Sequence, residues 1–234
     1  MNVIAHRGFS GIYPENTMLA FEKALESGCK AIELDVHFSK DGALMIIHDE
    51  TLDRTTDLKG FVRDYTLSEL SQCNAGKRDA FQAIPTLHTY CAWAKKHGVV
   101  TNIEIKTDRY YYQGIEKATL DMLKDYDLID QCIISSFNHG SVIRMKQLDS
   151  GVPCAFLVDE RDLGCAGAYC KSFGVEYYHP SGATLTKETV DECHEHGIKV
   201  NVWTVDTLDR IHDMKEWHVD GIITNYCDAV LKLV

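Results

Sequence analysis

Ala31-Ile32-Glu33-Leu34-Asp35-Val36-His37-Phe38-Ser39-Lys40-Asp41-Gly42-Ala43-Leu44-Met45-Ile46-Ile47-His48 contains two strand-like runs, 31–38 and 44–48, with only Ser39 to Ala43 between them. A parallel crossover needs a dozen or more residues. The two runs therefore pair as an antiparallel hairpin, and Asp41-Gly42 is the strongest short turn signal for one. Elsewhere strand-like runs at 3–7, 102–106, 132–137, 154–158, 176–180, 200–205 and 221–225 alternate with helix-like stretches. The helices are expected near 17–27, 86–97, 113–124, 140–148, 162–173, 187–195 and 208–216, the first capped by Asn16 and stopped by Gly28. Strands alternating with helices at this spacing are parallel. Setting the return run aside leaves eight parallel strands, the count of a (β/α)8 TIM barrel. The expected architecture is α/β: one barrel domain over 1–234, with a small insertion after the second strand. That insertion spans about 39–85, is rich in loop residues and carries a short helix near 68–72.

Three of the runs deliver charge at alternate positions: Val3-Ile4-Ala5-His6-Arg7-Gly8, Ile32-Glu33-Leu34-Asp35-Val36 and Asn102-Ile103-Glu104-Ile105-Lys106. In a strand, residues i and i+2 share a face. Glu33 and Asp35 thus point one way, as do Asn102, Glu104 and Lys106, while the aliphatic residues take the other face. Carboxylates are almost never buried unless paired or holding a metal. Glu33, Asp35 and Glu104 offer oxygen ligands only, which suits Mg²⁺ or Ca²⁺ better than Zn²⁺. Arg7 and Lys106 flank the same mouth as anion-reading bases. Acids for a cation beside bases for an anion describe a phosphate-ester site, and His6 and His48 supply groups that titrate near neutrality. A single histidine or tryptophan at a strand end is commonly structural; the convergence of His6, Arg7, Asp35, Lys106, Phe137, His179, Trp203 and Asn225 at strand C-terminal ends carries the weight. His37, His88, His97, His194, His196, His212 and His218 read as solvated or helix-end histidines.

The chain has 234 residues, enough for a sizeable core. Its formal net charge of −11 argues against nucleic acid or an anionic membrane as partner. Nine cysteines are scattered with no zinc-type CxxC pair, and they read as reduced thiols, mostly buried. The opening Met1-Asn2-Val3-Ile4 has no basic or apolar signal segment, and no run reaches the ~18 apolar residues of a membrane span. A cytoplasmic protein without integral membrane association is expected. The oligomeric state is left open, a homo-oligomer included.

The ordered motifs resemble the glycerophosphodiester phosphodiesterase family. They are Ala5-His6-Arg7-Gly8, Pro14-Glu15-Asn16-Thr17, Glu33-Leu34-Asp35-Val36, Asp41-Gly42, His48-Asp49-Glu50-Thr51-Leu52-Asp53-Arg54-Thr55-Thr56, Ile84-Pro85-Thr86-Leu87, Glu104-Ile105-Lys106, Ser136-Phe137, Trp203-Thr204-Val205 and Asp220-Gly221-Ile222-Ile223-Thr224. They run nearly end to end. The resemblance implies metal-dependent hydrolysis of glycerophosphodiesters, such as glycerophosphocholine or glycerophosphoethanolamine, to glycerol 3-phosphate and an alcohol. It implies His6 and His48 as the acid/base pair, and Glu33, Asp35 and Glu104 as ligands of one Mg²⁺ or Ca²⁺. Arg7 and Lys106 would hold the phosphate, Phe137 and Trp203 would line the glycerol side, and Glu15 and Asn16 would orient Arg7 or a metal ligand. His88-Thr89-Tyr90-Cys91 and Cys73-Asn74-Ala75-Gly76 depart from the family pattern and bear on substrate choice. Tyr110-Tyr111-Tyr112 reads first as packing and second as an aromatic rim for a headgroup. The rival readings are a lysophospholipid- or phosphoinositide-cleaving barrel, a sugar-phosphate enzyme on the same fold, and an inactive binding barrel. The last would lack a histidine or a ligand, and all five are present.

Overall fold

The computed structural model describes residues 1–76, 80–159 and 163–234. Eight strands run parallel: β1 (Asn2–His6), β2 (Ala31–Phe38), β4 (Val100–Ile105), β5 (Cys132–Ser136), β6 (Cys154–Val158), β7 (Tyr177–Pro180), β8 (Lys199–Val202) and β9 (Gly221–Thr224). They close in the order β1-β9-β8-β7-β6-β5-β4-β2, and the β1–β2 pairing completes a (β/α)8 TIM barrel. The ninth strand, β3 (Leu44–Ile46), adds to β2 antiparallel, with Val36 opposite Ile46 and Phe38 opposite Leu44. In its turn the Ser39 hydroxyl donates to Asp41 at 2.7 Å and accepts the Ala43 N–H at 2.8 Å, and Gly42 takes φ +82°.

The aliphatic parity of each strand faces the helices. Val3, Ala5, Ile32, Leu34, Val36, Ile103, Ile105, Ile134 and Phe156 share one buried cluster with Phe21 of α1 (Met18–Glu26), Leu87 and Tyr90 of α3 (Leu87–His97), and Leu123 of α4 (Ile115–Asp125). Burying such side chains contributes about 1.5–3 kcal/mol each against leaving them in water. The opposite parity fills the barrel with His6, Glu33, Asp35, Asn102 and Glu104. The ring is completed by α5 (His139–Leu148), α6 (Ala166–Ser172), α7 (Lys187–Glu195), α8 (Leu208–Glu216) and a short α9 (Cys227–Val230) that no sequence signal marked. The expected start of α6 at Asp162 lies outside the described residues.

The insertion after β2 packs on a small core of its own: Met45, Ile47, Leu52, Val62, Leu70, Cys73 and Ile84. Its helix, α2, is shorter than expected (Leu67–Leu70) and is held by a capping box between Thr66 and Glu69. The return strand stops two residues early. Ile47 N–H bonds the Asp35 carbonyl at 3.1 Å, and the chain then leaves the sheet, which frees His48. The cap of α1 is also corrected: Thr17, not Asn16, accepts the Ala20 N–H, at 3.2 Å. Eight of the nine cysteines are buried, Cys165 is exposed, and all are free thiols.

Gly8, two residues beyond β1, turns the chain at φ +77°, and a Cβ there would lie 2.7 Å from the backbone carbon of Ala20 in α1. Gly8→Ala is expected to lower stability by about 1 kcal/mol or more, read from the urea midpoint. An unchanged midpoint would show that this turn tolerates a side chain.

Candidate active site

Strand register assembles the site. His6 pairs with Glu33 and Glu33 with Asn102; one layer up, Asp35 pairs with Glu104. Because paired residues of parallel neighbours face the same side, carboxylate oxygens of Glu33, Asp35 and Glu104 come within 4.8 Å of one another, all buried. Three like charges in a dry space cannot all ionise freely. Burial first, then Asp35 and Glu104, holds the Glu33 carboxyl well above the usual range. Burial chiefly pushes Glu104 up to about 7. Burial acts on Asp35 as well, but Arg7, Lys106 and the Asn16 amide override it and hold that carboxyl far below normal.

The compensating cations sit at the rim. Arg7, one residue beyond β1, adopts φ +54°. That turn sends its backbone N–H to Glu33 Oε2 at 2.9 Å and its Nε to within 3.4 Å of Asp35 Oδ2. Lys106, one residue beyond β4, donates from Nζ to Glu104 Oε1 at 2.7 Å and lies 3.9 Å from Asp35 Oδ1. Asn16, also left-handed at φ +55°, donates its amide to Asp35 Oδ2 at 2.9 Å. Asp35 Oδ1 remains buried without a hydrogen-bond partner. An all-oxygen donor set with one orphaned oxygen and two carboxyls pushed toward neutrality fits a hard divalent cation.

Each histidine has one nitrogen fixed and the other turned inward. Asp206 accepts both the backbone N–H of Asn225, at 2.9 Å, and its Nδ2, at 2.6 Å, which fixes that amide. Asn225 Oδ1 then receives the proton of His6 Nδ1 at 2.7 Å, leaving Nε2 as a lone pair 4.0 Å from Glu33 Oε2. Burial and the Arg7 charge push His6 down to about 4. His48 donates from Nδ1 to Asp49 Oδ1 at 2.6 Å, and its Nε2 accepts from Lys106 Nζ at 3.3 Å.

Arg54 of the insertion fastens His48 to the barrel. Its guanidinium grips Asp49 through Nε (2.7 Å) and NH2 (2.9 Å), and Glu15 through NH1 and NH2 (both 2.8 Å). Glu15 in turn accepts from Arg7 at 2.8 Å. On the other side Phe137 and Trp203 meet edge to face at 5.3 Å, and the indole N–H donates to the His179 carbonyl at 2.9 Å. His6, Arg7, Glu33, Glu104, Phe137 and Trp203 line one pocket with His48. The structure thus brings all eleven sequence-expected site residues together. A cavity of about 430 Å³ at the opposite, N-terminal mouth contains none of this chemistry.

Asn225 was visible at a strand end, but nothing local tied it to His6 or to Asp206. Arg54 lay in a stretch read as loop. His37 is corrected: it is fully buried, with Nε2 3.0 Å from the His48 carbonyl and Nδ1 3.2 Å from the Tyr112 hydroxyl. Its parity with Glu33 and Asp35 was the available signal.

Fold and mouth together define a (β/α)8 hydrolase. The Glycerophosphoryl diester phosphodiesterase family matches residues 6–229. A glycerophosphodiester phosphodiesterase of Caldanaerobacter subterraneus subsp. tengcongensis is 39% identical, over 99% of this chain and 97% of its own. One from Bacillus altitudinis is 38% identical over the same shares. An Oleispira antarctica phosphodiesterase solved with its product sn-glycerol-3-phosphate superposes with a TM-score of 0.90 at 27% identity, over 99% of this chain and 96% of that one. The chain belongs to the glycerophosphoryl diester phosphodiesterase family and is accordingly an enzyme, a phosphoric diester hydrolase.

Arg54→Lys keeps the charge but cannot grip two carboxylates at once. The expected result is a fall in kcat/KM of about 10-fold or more, with little change in thermal midpoint because Arg54 is 48% exposed. Wild-type turnover would show that His48 needs no such fastening.

Proposed function

We propose that this enzyme hydrolyses glycerophosphodiesters, such as glycerophosphocholine and glycerophosphoethanolamine, to sn-glycerol 3-phosphate and an alcohol. The observation that carries the reading is the buried acid cluster flanked by two histidines, each fixed at Nδ1, with the His6 Nε2 turned toward Glu33 and the His48 Nε2 on the Lys106 ammonium. The product bound to the Oleispira relative supports the same substrate class. Glu33, Asp35 and Glu104 would hold one divalent cation, Mg²⁺ or Ca²⁺, which supplies positive charge to the phosphate and acidifies the attacking hydroxyl. Arg7 and Lys106 add charge at the rim, where the phosphate oxygens enter. Phe137 and Trp203 wall the glycerol side and exclude water. Glu15 and Asn16 orient Arg7 and Asp35.

His6 stands beside Glu33, on the side where the nucleophile is activated, and its neutral Nε2 takes the nucleophile's proton. His48 stands on the outer side and must enter the cycle as an imidazolium, steadied at Nδ1 by Asp49; it gives its Nε2 proton to the leaving alkoxide and is left neutral. We place this chemistry in a single domain, 1–234 with the insertion at about 39–85, acting in the cytoplasm on a soluble small molecule. No helix among the described residues is long and apolar enough to cross a membrane.

The test is release of sn-glycerol 3-phosphate from glycerophosphocholine and glycerophosphoethanolamine. EDTA should abolish turnover, and Mg²⁺ or Ca²⁺ should restore it. His6→Ala and His48→Ala should each cost about 10²-fold or more in kcat while the proteins stay folded. No turnover with either cation would refute the reaction. A histidine variant with full activity would remove that residue from acid/base chemistry.

A further inference from the structure

Asn102 lines the reaction pocket, and the chemistry described above gives it no work. It stands on β4, two residues before Glu104 and level with Glu33. Strand parity therefore sends its side chain into the barrel, one layer below Asp35 and Glu104. The residue is only 3% exposed. Its Nδ2 donates to the Ser135 hydroxyl of β5 at 3.0 Å, which fixes the plane of the amide. The other amide atom, Oδ1, is buried with no hydrogen-bond partner. Buried polar atoms are nearly always bonded, and an exception in the wall of a pocket points to a ligand that completes it.

The neighbouring polar groups of the pocket are already engaged. Glu33 accepts the Arg7 N–H, Glu104 accepts from the Lys106 ammonium, and the Trp203 indole donates to the His179 carbonyl. Thr204, two residues beyond β8, is half-buried. Leu157 and Ile223, which line the same pocket, are apolar and buried. The pocket shares no lining residue with the cavity at the N-terminal mouth, so it ends inside the barrel.

We propose that Asn102 Oδ1 accepts the terminal sn-1 hydroxyl of the glycerol arm and so selects substrates in which that hydroxyl is free. This rests on the hydrolysis proposed above and names a specificity residue for it. The C2 hydroxyl is one carbon from the ester carbon and stays near the phosphate and the cation. The C1 hydroxyl is one carbon further on, and it is the group that reaches the inner wall. There Leu157 and Ile223 take the hydrocarbon edge, and one acceptor without a partner meets one donor. A site built to bond a hydroxyl rejects an analogue without it, because the buried acceptor is then left unpaired. An ester at C1 fails twice: it has no proton to give, and the closed pocket offers its acyl chain no exit.

The experiment measures kcat and KM for sn-glycero-3-phosphocholine and for its 1-deoxy analogue, in which CH3 replaces CH2OH at C1. A 1-acyl lysophosphatidylcholine is the third substrate. The wild type should prefer the free hydroxyl over the 1-deoxy ester by about tenfold or more, chiefly through KM because this hydroxyl does not react. Asn102→Leu, close in shape, should bring that ratio near one by weakening only the first substrate. Its cation affinity, read by calorimetry, should equal the wild type's. Ser135→Ala keeps the acceptor but frees the amide plane, and should lower the ratio part of the way. A wild-type ratio near one would overturn the assignment, and it decides even where Asn102→Leu does not fold. An unmoved ratio in folded Asn102→Leu would overturn it too, as would a weakened cation affinity there, which would make the amide a cation ligand. Turnover of the lysophospholipid to match glycerophosphocholine would do the same. All of these leave diester hydrolysis standing, whereas failure of the wild type to cleave any of the esters would refute the reaction itself.

Discussion

Three carboxylates held within 4.8 Å of one another inside a barrel are the constraint that the rest of the mouth answers. Strand alternation and the β1–β2–β4 register force Glu33, Asp35 and Glu104 into the interior together. Like charges at that spacing in low dielectric repel strongly. The chain offsets this with two cations drawn from the residues just beyond strand ends. Arg7 must take a left-handed backbone to do so, a conformation that costs a non-glycine residue on the order of 1–3 kcal/mol. Its backbone N–H on Glu33 and its guanidinium between Glu15 and Asp35 hold it there. Lys106 needs no such strain, because it lies on the same parity as Glu104.

His48 poses the opposite problem, since it belongs to no barrel strand. Four ties fix it: its carbonyl to buried His37, its Nδ1 to Asp49, its Nε2 to Lys106, and through Asp49 and Arg54 a link to Glu15 on the barrel side. Glu15 is shared between Arg54 and Arg7, so the insertion and the acid cluster are held by one chain of charge-assisted hydrogen bonds. The small core around Leu52 and Val62 gives the insertion enough packing to act as a support for the histidine rather than a loose flap.

Short-range pattern in the sequence was enough for the barrel, the hairpin and the acid face, because period-two alternation and a two-residue turn are local signals. What it missed depends on partners far away in the chain. Asn225 is 219 residues from His6, and its role exists only once the barrel closes. Asn16 and Thr17 are both good cap formers, and only the presence of Asp35 decides that Thr17 caps while Asn16 turns inward. His37 looked solvated because it stands at a strand end; it is buried because the hairpin and Tyr112 fold over it. The two histidines and the three acids were readable from type and position, and Glu15 and Asn16 from the motif that carries them, whereas Asp206, Asn225 and Arg54, which fix the two histidines, were not assigned that part.

Direct cation binding to the purified protein, by calorimetry with Mg²⁺ and Ca²⁺, is the most telling measurement. Glu33→Gln and Glu104→Gln should fold at least as stably without cation, since each removes a carboxylate from a crowded acid cluster. One saturable cation per chain, weakened sharply in both variants, is the predicted result. No saturable binding, or binding that both variants retain at full strength, would contradict a cation seat built from these three acids.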